Sequence, residues 1–220
     1  MYLLNMKIFV VNLDAATDRW EQYENDDRFT RWSAWHYDDL PVTHPIFKEM
    51  VSMYNINPKE HKAKCACYIS HTRLYEYIIK NKLDDVLIIE DDAELVSELP
   101  DSKKLPQDGF TYFGGFTSHL KMTQGPVKVH FDGNGIHRIQ DDKYRMLMTV
   151  AIYIPNWIVA KKMLSACKPE KKRPRAIDTM LRDAYCPQYV YYPAPFIEKD
   201  FPSQIRKGKK KHSNEFYEWV

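Results

Sequence analysis

The chain has 220 residues, 44% hydrophobic and 28% charged, without a low-complexity tract, which is the make-up of one soluble domain with a real core. Its net charge of +2 excludes a polyanion binder that works through overall charge, and no stretch approaches the roughly 20 apolar residues of a membrane span. The four cysteines, at 65, 67, 167 and 186, exclude a disulfide scaffold and a zinc site made of two cysteine pairs.

Lys7 to Leu13 is a short, almost continuous apolar run, the pattern of a strand buried on both faces of a parallel sheet. Asp14 to Asn25 reads as a helix capped by Asp14 or Thr17. Phe29 to Trp35 is a second strand, and a short helix is expected around Phe47–Tyr54. Pro58 to Asn81 carries the clearest helix, because Cys67, His71, Leu74 and Ile78 fall on one face. Val86 to Ile89 is another all-apolar strand, and it runs straight into Glu90-Asp91-Asp92. Tyr112 to Gly115 suggests a strand entering a tight turn. Val127–His130 and Ile136–Ile139 flank Asp132-Gly133-Asn134-Gly135, a hairpin signal. Leu147 to Ile154 is a strand, and Pro155 is placed to start the helix that Asn156 to Ala166 continues. Ile177 to Ala184 is a short helix and Tyr189 to Tyr192 a late strand. This alternation predicts an α/β fold with a mostly parallel sheet, helices flanking it and a β-hairpin insert. No linker or repeat interrupts it, so residues 1–220 are read as a single domain with a basic tail from about 202.

Open α/β sheets bind ligands at the carboxyl ends of their strands, and Glu90-Asp91-Asp92 lies at such an end. Three adjacent carboxylates repel one another, and a divalent cation relieves that repulsion. Oxygen donors suit Mn²⁺ or Mg²⁺, ions that keep open positions for substrate phosphates. The competing reading is a solvated acidic turn. Asn12, Leu13 and Asp14 end the first strand and should share the edge. Arg19 follows, either as a phosphate or base ligand or as a solvated helix residue. On the long helix, Ser70 and Arg73 flank the apolar face and could reach a ligand. His71 lies on that face, either as a satisfied core histidine or as a ligand. Cys65, Cys67 and His71 form a conceivable metal set, against the reading of reduced thiols in an intracellular protein. Two basic clusters, 168–175 and 206–211, are either solvated surface or an attraction for phosphate-bearing ligands. The start of the chain lacks the charged opening and apolar run of a signal peptide, so a cytoplasmic location is expected.

Ala66-Cys67-Tyr68-Ile69-Ser70-His71, then a helix, then Val86-Leu87-Ile88-Ile89-Glu90-Asp91-Asp92 resembles the central signature of glycosyltransferase family 25. Val11-Asn12-Leu13 with Asp18-Arg19 resembles its opening. Thr149 to Ile154, the Ala160–Leu164 helix, Ile177-Asp178 and Ser203-Gln204-Ile205 resemble later segments. The resemblance covers about residues 7 to 206. Ala66 stands where the family usually has Gly, and Gln204 stands in place of an Asp, which puts any role of that carboxylate in doubt.

The resemblance implies a single GT-A-like domain that transfers sugar from a nucleoside-diphosphate donor, often UDP-linked, with Mn²⁺ or Mg²⁺. The acceptor would be a hydroxyl of a glycan or glycoprotein. It implies that Asp92 meets the metal most directly, with Glu90 as a further ligand, and that Glu90 or Asp91 reaches the ribose or the ion. An inverting reaction needs a base for the acceptor hydroxyl. Asp178 is the first candidate, against an ordinary helix N-cap. Asp200, as a base, and His212, as a metal ligand, stand behind it. Tyr112, Phe113 and the Gly114-Gly115 pair either shape an acceptor site or pack the core. Two other function classes use some of the same residues. One is a metal-dependent phosphoryl or nucleotidyl transferase. The other is a non-catalytic nucleic-acid module that works through the basic tail, whereas the transferase reading needs no nucleic acid.

Overall fold

The apolar runs at Lys7–Leu13 and Val86–Ile89 become neighbouring inner strands of one sheet. The computed structural model describes residues 6–39, 58–119, 133–139, 144–167 and 176–199. Lys7–Asn12 is β1 and Val86–Glu90 is β3. Ile8, Phe9 and Val10 of the first and Val86 to Ile89 of the second are all buried, as strands covered on both faces must be. They pair in parallel, with Lys7 opposite Val86 and Val11 opposite Glu90. On the other side of β1, Phe29–Ser33 (β2) also pairs in parallel.

The small strands β4 (Ala93–Leu95) and β9 (Phe196–Glu198) form their own antiparallel pair. The large sheet is completed by β5 (Phe110–His119), β6 (Gly135–Arg138), β7 (Tyr144–Ile154) and β8 (Gln188–Tyr192). Its seven strands lie in the order β2-β1-β3-β7-β5-β8-β6. β7 runs against both of its neighbours and β6 against β8, while β5 and β8 are parallel. Five of the seven strands therefore share one direction, and the fold is α/β with a mostly parallel sheet.

The twofold alternation of strand side chains sorts the core into two layers. Phe9, Val86 and Ile88 face the helices α2 (Pro58–Lys80), α3 (Trp157–Ala166) and α4 (Ile177–Leu181). Ile8, Val10, Leu87 and Ile89 face the opposite layer, closed by Tyr23, Leu99, Leu105 and Phe196. α2 buries His71, Leu74 and Ile78 of the predicted face, with Tyr75 beside them, while Cys67 is half-buried.

Three expectations need correction. The helix expected over Asp14–Asn25 is a single turn, α1 (Thr17–Trp20), followed by turns. Its N-cap is Ala16, which offers no side-chain hydrogen bond. Beyond it, Gln22 and Tyr23 are drawn to the backbone oxygens of Asp91 and Ala93. The strand through Tyr112 does not end at the glycines. It continues to His119, with its pairing to β7 shifting around Gly114. Pro155 stands before the helix rather than at its first position, because Asn156 is the N-cap and its Oδ1 accepts from the Val159 amide at 3.0 Å.

Of the expected hairpin, β6 is one arm, and it pairs with β8. The other arm at Val127–His130, the helix at Phe47–Tyr54, both basic clusters, Asp200, Gln204 and His212 lie outside the described residues. Among the described residues, no helix is long and apolar enough to cross a membrane.

Candidate active site

The strand order puts a topological switch point where the sequence puts its acids. β2 and β3 flank β1 on opposite sides, so the connections leaving the carboxyl ends of β1 and β3 diverge. Such switch points are where open α/β sheets take their ligands. Asn12 ends β1 and Glu90 ends β3, with Asp91 and Asp92 just beyond.

Asp91 ties this edge together. Its Oδ1 accepts from Arg19 Nη1 at 2.7 Å, and its Oδ2 accepts from Asn12 Nδ2 at 2.9 Å. Gln22 donates to its backbone oxygen at 2.9 Å. Asn12 Nδ2 also reaches the Ala16 oxygen, and Asn12 Oδ1 accepts from Arg31 Nε at 2.8 Å. The other end of the Arg31 guanidinium donates to the backbone oxygens of Leu13 and Asp14. Arg19 also stands 3.5 Å from Asp92 Oδ2. Asn12, Arg19, Asp91 and Asp92 are all buried, so their charges act at short range in a poorly screened setting. One consequence is Tyr23, whose phenol is pushed far above its ordinary range by burial and then by Asp92, Asp91 and Glu94. The backbone amide of Lys199 donates to the Asp92 oxygen at 2.6 Å, bringing the end of β9 to the same place.

A second group lies on the α2 side of Glu90. The Thr149 hydroxyl donates to Glu90 Oε1, and His71 Nε2 is 3.7 Å from the same oxygen. Cys67, one helical turn before His71, completes a cluster in which the three potential ligand atoms lie within 4.8 Å of one another. Burial first, then the charges of Glu90, Asp178 and Asp92, hold the Cys67 thiol well above its ordinary range. Asp178 therefore belongs to the same electrostatic neighbourhood. It is not a helix N-cap, since Ala176 holds that place in α4. Its Oδ1 accepts from the Thr179 amide at 2.7 Å.

Hard-ion chemistry fits the oxygen donors of this edge. Asp91 and Asp92 share one guanidinium, so the three carboxylates of the triplet outnumber the buried cation beside them. Both Asp91 oxygens are already engaged. Glu90 and Asp92, which flank Asp91, are the carboxylates of this edge that could hold such an ion, Mn²⁺ or Mg²⁺.

The other expected site residues spread along the same edge. Leu13 contributes its backbone oxygen to Ala16 and Arg31. Ser70 is buried, accepts from the Trp35 amide at 2.9 Å and donates to the Ala66 oxygen at 2.7 Å. Arg73 is exposed, with its guanidinium 5.8 Å from the Trp35 ring centre. Tyr112 and Phe113 are fully buried, and Phe113 stacks on Tyr153, so these aromatics pack the core. Cys65 is a core residue and does not join Cys67 and His71, whose third partner is Glu90. His71 is buried as expected but is not a satisfied core histidine, since neither ring nitrogen has a hydrogen-bond partner among the described residues. The sequence reading missed Gln22, Arg31, Thr149 and Lys199. Arg31 had a signal: a lone cation inside a strand parallel to β1 ends up near the same edge. Gln22 and Lys199 had none, because both depend on turns and three-residue strands.

Residues 5–118 match the sequence profile described as Glycosyltransferase family 25 (LPS biosynthesis protein). A search of curated proteins finds no match to the chain.

Proposed function

The chain belongs to glycosyltransferase family 25 and is a glycosyltransferase, and on that premise we propose that it is a metal-dependent, inverting enzyme acting as one domain over residues 1–220. Its donor is a nucleoside-diphosphate sugar, UDP-linked in the favoured case. Its acceptor is a hydroxyl of a glycan or glycoprotein, and the family's description, which refers to lipopolysaccharide biosynthesis, supports a glycan. The observation that carries the reading is the union of Asn12, Arg19, Asp91 and Asp92 at the switch point between β1 and β3.

Transfer breaks the bond between the anomeric carbon and the diphosphate, leaving negative charge on the leaving group. Mn²⁺ or Mg²⁺, when bound, neutralises that charge. Glu90 and Asp92 hold the ion. Asn12 and Arg19 fix Asp91, and Arg19 also steadies Asp92, so the acidic edge is set before substrate arrives. At the carboxyl end of β2, Ser70 holds the Trp35 backbone and Arg73 lies over its ring. An aromatic face beside a cation is a surface on which a nucleotide can rest. Asp178 takes the proton of the acceptor hydroxyl as that oxygen attacks from the side opposite the diphosphate, which inverts the anomeric centre.

Thermal shift with nucleotide sugars, with and without Mn²⁺, tests the proposal. A UDP-sugar with Mn²⁺ is expected to raise the melting temperature, since a ligand that binds only the native state stabilises it. Asp92→Asn should abolish the metal-dependent part of the rise. Asp178→Asn should keep the rise and lose transfer. If no nucleoside-diphosphate sugar shifts the transition with any metal, the donor reading fails, and full transfer by Asp178→Asn removes Asp178 as the base.

A further inference from the structure

Cys67 and His71 stand four residues apart on α2, which places them one above the other on the same helix face. Glu90 closes the group from the end of β3. The sulfur, an imidazole nitrogen and a carboxylate oxygen lie within 4.8 Å of one another, with the His71–Glu90 pair at 3.7 Å. Two ligands at about 2.1 Å from one tetrahedral ion lie roughly 3.4 Å apart, so small side-chain rotations would bring this set onto a single ion. His71 supplies an independent observation. It is 1% exposed, and neither of its ring nitrogens has a hydrogen-bond partner among the described residues. A polar nitrogen buried without a partner is costly, and coordination provides one. Cys67 and Glu90, at residue level, are half-buried.

We propose that Cys67, His71 and Glu90 form a binding site for a thiophilic divalent cation, zinc first among them, that shares Glu90 with the oxygen-donor edge but does not use Asp92. The donor set decides the ion. Sulfur, imidazole and carboxylate together suit zinc, whereas Mn²⁺ and Mg²⁺ prefer oxygen throughout. As the metal–sulfur bond forms, the Cys67 thiol releases its proton to solvent. Thr149 orients Glu90 from behind through its hydroxyl. Three protein donors leave the fourth tetrahedral position to water or another small ligand. Glu90 belongs to both groupings. If the hard-ion reading of the active site holds, zinc at Cys67 withdraws a carboxylate from it and lowers transfer.

The full chain, stripped of metal and titrated with Co²⁺ as a spectroscopic substitute for zinc, tests this without any enzymatic readout. The expected result is one equivalent bound, with a near-ultraviolet thiolate-to-cobalt charge-transfer band that Zn²⁺ abolishes. Cys67→Ser should lose the band, while Cys65→Ser and Asp92→Asn should keep it. In the unsubstituted protein, Zn²⁺ should slow alkylation of Cys67, mapped by mass spectrometry, by about tenfold or more. A missing band in the unsubstituted protein, a band that survives Cys67→Ser, a band lost in Asp92→Asn, or alkylation indifferent to Zn²⁺ overturns the proposal. The donor reading is judged separately, by the nucleotide-sugar thermal shift.

Discussion

Arg19 faces two carboxylates with one guanidinium, 2.7 Å from Asp91 and 3.5 Å from Asp92, and all three residues are buried. Removing the cation leaves two buried like charges, and breaking a buried ion pair from one side costs about 3–5 kcal/mol. Arg19→Met is therefore expected to lower the unfolding free energy by that margin, read as a fall in the urea midpoint. Mn²⁺ should recover part of the loss in the variant, because a metal ion would supply the missing positive charge. Equal midpoints for variant and parent would show that the pair is not coupled to the fold. The ion pairs of Arg19 were hidden in the sequence, which offered only a phosphate or base ligand or a solvated helix residue, whereas the place of Asn12 at the end of the first strand was legible. The role of Asp91 was not. Only packing shows that its two side-chain oxygens are committed to Arg19 and Asn12.

β5 carries two glycines inside a strand, and the reason for Gly114 lies in neighbouring elements. A Cβ on Gly114 would lie 2.9 Å from the Phe196 backbone oxygen and 3.1 Å from Val150 Cγ1. β9 can approach β5 only because that space is empty. Gly114→Ala is expected to push β9 away, destabilise the fold by about 1–3 kcal/mol and weaken the Lys199–Asp92 bond that β9 delivers. Amide hydrogen exchange at Lys199, faster in the variant, would report it, and unchanged protection there would refute the coupling. The inner strands were readable because burial on both faces leaves a continuous apolar run, and α2 because burial of one face leaves a helical period. The pairing of β4 with β9 was not, since three residues carry no period. The same reason hid the turns after α1, where tertiary hydrogen bonds from Gln22 and Tyr23 outweigh the local helical pattern.

For the whole molecule, the buried thiols set an alkaline limit. Burial raises Cys65 from an ordinary 9.0 to about 11 and Cys167 to about 12. In the pH range between those values the unfolded chain has lost protons that the folded chain retains. The native state then binds more protons, so stability must fall as pH rises. Each thiol contributes a slope of up to about 1.4 kcal/mol per pH unit. Denaturant midpoints should decline from about pH 9 upward, and Cys65→Ala with Cys167→Ala should flatten that decline. An equal slope in the double variant would assign it to other groups. The strand order has a further consequence for how the protein can be divided. The family match ends at residue 118, yet β3 and β5 meet only through β7, which starts at Tyr144. A ribosome that has released just the matched segment exposes β3, apolar from Val86 to Ile89, as a sheet edge, with β5 lacking both of its neighbours. Such edges invite self-association. The recognisable half of the chain is thus not an excisable module, and truncation after residue 118 should yield aggregates rather than a minimal enzyme.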